Sequence, residues 1–159
     1  MNNEFWLIPP IYKIYEAITC IADKRIETNE NQTTAKVFSS SGNKFYTVSY
    51  NPDKKEIMAN DNSAYYADTI SYTMIALLMI RGEIKYDKEL EKSLSNIYWK
   101  EINQKYKNNY AKATEEVLES LKDKYDIEGV KRKVEEIYEQ VKLLKLKKLG
   151  KKIFPPKAY

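Results

Sequence analysis

Aromatic rings and ammonium groups alternate along one stretch of this chain: Tyr98-Trp99-Lys100, then Lys105-Tyr106-Lys107, then Tyr110 with Lys112. Holding single-stranded nucleic acid needs this pairing, because cations track phosphates while ring faces stack bases at about 1–3 kcal/mol each. Lys36, Lys44 and Tyr46, on a segment that reads as strands, can offer a facing wall. The residues expected to touch nucleic acid are therefore Lys36, Lys44, Tyr46, Trp99, Lys100, Tyr106, Lys107 and Tyr110. Trp99 lies one position off the apolar stripe of Ile97, Ile102 and Tyr106, so it is the ring expected to be accessible. A plainer use of the same residues stays open. Ile97, Tyr98, Ile102 and Tyr106 can line a core, with lysine stems covering its edge.

Other chemistries lack their groups. The 159 residues include no His, one Cys and only 4 Gly. Without His, Ser-His-Asp and Cys-His mechanisms are gone, as is the usual base near neutral pH. Cys20 alone makes no disulfide and no zinc site, and it is expected to be buried and inert. No glycine spacing matches a phosphate-cradling loop. Asp61, Asp68, Glu83 and Asp87 are the acids near the apolar middle, and their spacing fits no calcium loop. Ser39-Ser40-Ser41 has no base at a supporting spacing. The expectation is a protein without catalysis, cofactor or metal.

Charge is unevenly spread. The net +4 divides into eleven basic against thirteen acidic residues over 1–99, and sixteen against ten over 100–159. From Lys142 to Tyr159 there are seven lysines and no acid, an electrostatic footprint for phosphate backbones or an anionic surface. A solvated tail would look the same. The leucines among those lysines make no wide apolar face, so a membrane partner is not expected. The most apolar run, Met74 to Ile80, is too short to span a bilayer. With no basic leader and one cysteine, the chain reads as soluble and cytoplasmic. The 14 tyrosines suit base stacking, though an A+T-rich coding sequence gives the same enrichment.

The elements that must position these residues make an α+β fold. Pro9-Pro10 should open a first helix with Ile11, Ile14, Tyr15 and Ile18 on one stripe. Polar residues from Glu27 to Gln32 read as a loop. A small three-stranded antiparallel meander follows: Thr34 to Ser39, Lys44 to Tyr50, and Glu56 to Ala59. Four helices are expected after Asp61. The first runs Tyr65 to Ile80 and ends at Gly82, and the second is capped by Asp87 and runs past Tyr106. The third covers Ala111 to Tyr125. In the fourth, Ile127, Val130, Val134, Ile137, Val141 and Leu144 step 3-4-3-4-3, a heptad seam. Gly129 weakens that helix by about 1 kcal/mol against Ala. The seam implies a homo-oligomer, or packing on the chain's own domain. The expected organisation is an α+β domain over 1–125, the heptad helix over 126–149 and a loosely held basic tail over 150–159.

Two resemblances bear on this reading. Lys44 to Glu83 resembles a SWIM zinc finger, a hairpin leading into a helix with CxC…CxH ligands. Tyr46-Thr47-Val48 matches its first strand, Asp61-Asn62 follows the hairpin, and Met74-Ile75-Ala76-Leu77-Leu78 matches the helix. The four ligand positions hold Ile57, Ala59, Ser71 and Thr73, which cannot bind zinc, so the resemblance implies a metal-free contact module. In layout the chain also resembles the archaeal ThermoDBP-type single-stranded DNA-binding proteins. They join an α+β domain bearing a basic, aromatic cleft to a C-terminal oligomerisation helix. The functional expectation is non-specific binding of single-stranded DNA or RNA. The alternative is a protein-interaction module, of viral or mobile-element type, acting through its helices.

Overall fold

Proline at 9 and 10 feeds directly into α1 (Tyr12–Ala22), whose Ile14, Ala17 and Ile18 are fully buried. The computed structural model describes residues 4–157; Ala158 and Tyr159, the end of the expected basic tail, lie outside the described residues. The strands are β1 (Ile26–Thr28), β2 (Thr34–Phe38), β3 (Phe45–Asn51), β4 (Glu56–Ala59) and β5 (Lys147–Lys148). They form one five-stranded sheet in that order, antiparallel from β1 to β4, with β5 parallel to β4. The fold is α+β, as the sequence implies, but the meander gains a strand at each edge.

Neither added strand carries an alternating pattern of its own. β1 is three residues that run into the start of the expected polar loop at Glu27 and Thr28, joined to β2 by backbone pairing from Ile26↔Val37 to Thr28↔Ala35. β5 comes from the lysine block. Lys147 N–H donates to Lys55 O at 2.9 Å and Leu149 N–H to Ile57 O at 3.1 Å. On the other side, Trp6 N–H donates to Leu146 O and Lys148 N–H to Glu4 O. Unpaired backbone groups at a sheet edge demand partners whatever the side chains are.

The helices are α2 (Asn62–Ala67), α3 (Tyr72–Ile80), α4 (Leu90–Ser93), α5 (Trp99–Lys105), α6 (Tyr110–Leu121) and α7 (Ile127–Leu143). Two expected helices are therefore broken. The 65–80 helix is interrupted at Asp68, which turns left-handed (φ 61°) so that Leu7 can pair with Asp68 O and Ile70 N–H. The helix from Asp87 is interrupted at Asn96 (φ 56°). Beyond the first break, α3 is buried from Thr73 to Met79, packed on β1, β3, β4 and α1, and Gly82 (φ 80°) ends it.

The heptad helix turns its seam inward. Val134 and Val141 are fully buried, Ile137 is 1% exposed, Val130 is buried, and Ile127 and Leu144 are half-buried against them. α7 packs on α1 and α6 within the core that α1, α3 and the sheet share. The six residues expected at an interface between copies are thus occupied within the chain, and 126 starts no independent unit. Gly129 also has a reason here. Its N–H donates to the capping Asp126 Oδ1 at 3.2 Å, and a Cβ would come within 2.5 Å of Asp126 Oδ2. Part of the tail is held too: Lys152 Nζ lies 2.5 Å from Asp68 Oδ1, and the Phe154 ring meets Tyr65 edge-on at 4.9 Å.

One polar cluster ties the sheet to the end of α3. Glu83 accepts from Tyr50 Oη at 2.7 Å, Lys55 Nζ at 2.9 Å and Arg81 Nε at 2.5 Å. Burial alone would raise its pKa, but these three donors prevail and hold the carboxyl at about 2. A depressed carboxyl stabilises the fold fully above its ordinary pKa of 4.5 and stops doing so as pH falls through its folded value. Glu83→Gln should therefore cost about 1–3 kcal/mol at pH 7, with the deficit shrinking between pH 4.5 and 2. Urea denaturation of both proteins across that range measures it, and a deficit constant with pH would refute the assignment.

Candidate nucleic-acid interface

Strand alternation decides which residues of the meander can meet. In β3, Tyr46, Val48 and Tyr50 face inward while Thr47 and Ser49 face out. Lys44 shares the phase of Tyr46, and its Nζ lies 5.3 Å from the centroid of that ring. Lys36 has the opposite phase. It sits across from Thr47 on the exposed face, with its Nζ 4.6 Å from the Phe45 centroid. Lys36 is therefore removed from the expected site.

Lys44 and Tyr46 form one wall of a cleft of about 350 Å³. α1 contributes Lys13 and Glu16, the start of α2 contributes Asn62 and Ser63, and α5 with its following turn contributes Lys100, Asn103, Gln104 and Asn108. Tyr110, at the start of α6, closes the far side. Of the eight expected residues, Lys44, Tyr46, Trp99, Lys100 and Tyr110 line this one cleft.

Trp99 lines it from inside the core and is not the accessible ring expected. It is 4% exposed, and its Nε1–H donates to Thr19 Oγ1 at 2.9 Å, while Thr19 donates to Leu94 O at 2.6 Å. Its neighbour Tyr98 is 56% exposed. The left-handed turn at Asn96 resets the helical phase, so the stripe drawn through Ile97 and Ile102 does not continue across it.

Tyr106 belongs elsewhere. It lines a larger groove of about 740 Å³ between α6 and α7, where Glu115, Glu116, Glu119 and Glu128 outnumber Lys112, Lys122 and Lys131. Glu116, Glu119 and Glu128 are paired with Lys105, Lys122 and Lys131, and Lys112 is offset by Glu115. The groove thus has no surplus of open cations to draw phosphate, and size does not make it the better site. Lys107 is exposed in the left-handed turn after α5 (φ 52°), beside Asn108, and does not line the cleft.

Within the cleft, both carboxylates are already engaged. Asp61, 4% exposed, caps α2 by accepting Ala64 N–H at 3.0 Å and accepts Thr73 Oγ1–H at 2.6 Å. Ser71 Oγ lies 2.9 Å from the same Thr73 hydroxyl. Two of the finger-like ligand positions thus join a hydrogen-bonded cluster, while Ile57 and Ala59 are buried in β4. Glu16 lies 3.1 Å from Lys13 Nζ. Burial works against the Lys13 charge, yet Glu16 prevails and its pKa ends above the ordinary lysine value. Arg25 Nη1 donates to Phe38 O at 2.6 Å. Lys44 and Lys100 are left as the cations lining the cleft with neither an ion pair nor a side-chain hydrogen bond among the described residues, whereas Arg25 lacks an ion pair but is held by Phe38 O.

The rings differ in what they can offer. Burial pushes the Tyr46 hydroxyl up to about 12, so it stays protonated as a donor in the wall. Tyr110 is half-buried, backed by Tyr12 at 6.3 Å in a stacked arrangement, with Lys13 Nζ 5.5 Å from its centroid. The sequence reading missed Lys13, Arg25, Asn103 and Gln104. Lys13 had a faint signal, as a cation beside the α1 stripe, but nothing local marks the other three.

Residues 6–147 match a family model described as Uncharacterised conserved protein UCP014422. The chain belongs to that family. Every residue lining the cleft falls inside the matched span. No curated protein and no solved structure matches the chain. Among the described residues of this UCP014422 member, no group of three or more His, Cys, Asp or Glu stands ready for a metal, and no helix is long and apolar enough to cross a membrane. Cys20 is buried, which pushes its thiol up to about 12 and away from thiolate chemistry.

Proposed function

We propose that this UCP014422 member binds single-stranded nucleic acid, without catalysis and without sequence preference, in the cleft between α1, α5 and the β2–β3 hairpin. The observation that carries this reading is the convergence of Lys44 and Lys100, both without ion pairs among the described residues, on one cleft with the half-buried ring of Tyr110. Ammonium groups meet phosphates, the ring meets a base, and the exposed Asn62, Gln104 and Asn108 offer amides to sugars and base edges, while Asn103 is buried with its amide turned to Glu16. The shape favours a single strand. Reading a duplex needs a protruding helix or ribbon that enters a groove, whereas a concave cleft of this size takes unstacked nucleotides. The heptad face on which a protein-docking alternative rested is buried in the chain's own core.

Fluorescence anisotropy with a labelled oligothymidylate at two salt concentrations tests the proposal. Binding should weaken with salt at a log–log slope of about −0.7 per phosphate contact. No binding at low salt, or binding indifferent to salt, refutes it.

A further inference from the structure

The strand does not end at the cleft. We infer that Tyr66 and Phe154, gathered around Tyr65, form a second station where bases of the same single strand stack, an inference that rests on the cleft reading above. Tyr66 is 67% exposed and Phe154 64%, and the Tyr65 ring lies 4.9 Å from each of theirs. Aromatic rings left this open, and gathered rather than scattered, mark a contact surface.

The station is built. Lys152 Nζ donates to Tyr65 O at 3.0 Å and pairs with Asp68, which also binds Lys148 at 3.0 Å, so the chain carrying Phe154 is anchored beside α2. Its position relative to the cleft follows from α2. Asn62 lines the cleft, and Tyr66, four residues on, lies on the same helix face. The separation is about 6 Å along the helix axis, the rise of about two stacked nucleotides. The charge nearby has the right sign. Residues 142–157 contain no acid, and Lys145 and Lys151 are exposed without ion pairs among the described residues. Nothing in this arrangement reads base identity, because every base has a ring face.

Two oligothymidylates separate the stations, one of about two nucleotides that fills only the cleft and one of about twelve that reaches past it. Tyr66→Ala with Phe154→Ala should weaken binding of the longer strand about tenfold and leave the shorter one unchanged. Tyr66→Phe with Phe154→Tyr, which keep both rings, should restore the longer strand's affinity. Equal weakening at both lengths, or none at either, overturns the inference; the second result leaves the patch to a protein partner. As a check independent of the variants' folding, photo-crosslinking of the wild-type protein to a bromouridine-substituted longer strand should place adducts at Tyr66 or Phe154. Adducts confined to the cleft overturn the inference. If the wild-type protein binds neither oligonucleotide, the cleft reading itself fails, and this one with it.

Discussion

Ile137→Asp should unfold this protein at every concentration tested, with no intermediate in which a folded monomer survives. Ile137 is 1% exposed among Val130, Val134 and Val141 on the inner face of α7. A carboxylate placed there would sit within the apolar core cluster, and an uncompensated buried charge costs several kcal/mol. That is comparable to the whole stability of an ordinary domain, about 5–15 kcal/mol. Ile137→Ala is the milder version and should cost about 2–5 kcal/mol, through lost transfer energy and the cavity left behind. Chemical denaturation followed by circular dichroism measures it. The decisive control is protein concentration. If α7 were a seam between copies, stability would rise with concentration by mass action. If it packs on its own domain, the midpoint stays fixed over about a hundredfold range. A midpoint that moves would return the heptad to an interface.

The same result limits what substitutions on α7 can report about function. An Asp at Val134 or Ile137 would abolish any activity by unfolding, so its loss says nothing about a docking helix. Exposed residues give the cleaner test.

The second large effect is expected from reversing the cleft's open charges. Lys44→Glu with Lys100→Glu should reduce oligonucleotide affinity at low salt at least tenfold and lower the magnitude of the salt slope by about 1.4, two contacts at about 0.7 each. Neither lysine holds an ion pair among the described residues, so the fold should be intact, which a thermal melt verifies. Lys54→Glu with Lys88→Glu makes the same change in net charge at exposed positions outside the cleft. It should leave the slope within error of the parent. If both pairs weaken binding equally, the attraction is the whole molecule's field and the cleft loses its role.

How much of this was legible beforehand varies with the distance over which each feature is decided. The stripe of α1, the three central strands and the stop at Gly82 follow from local patterns, because alternation, helical periodicity and left-handed glycine act over a few residues. The breaks at Asp68 and Asn96 did not. Each lies within an apolar pattern compatible with continuous helix, and the first is made by Leu7 pairing across about sixty residues. β5 was hidden for the same reason, since a Lys-Lys dipeptide becomes a strand only when a sheet edge is beside it. Trp99 shows the consequence at the site. An error of one helical break turned an accessible ring into a buried one and exchanged its role with Tyr98.

By itself the sequence determined the chemistry on offer: no imidazole, one thiol, few glycines, and aromatic and lysine residues in surplus. It also determined the α+β class, because local periodicity distinguishes helix from strand. The tertiary structure alone decided which charges are spent and which are open. Glu16, Asp61, Lys13 and Arg25 find partners across the fold, while Lys44 and Lys100 are left facing one cleft and Lys36 is turned to the other face of the sheet. Charge partnering and facing depend on contacts between residues far apart in the chain, and no short-range pattern encodes them.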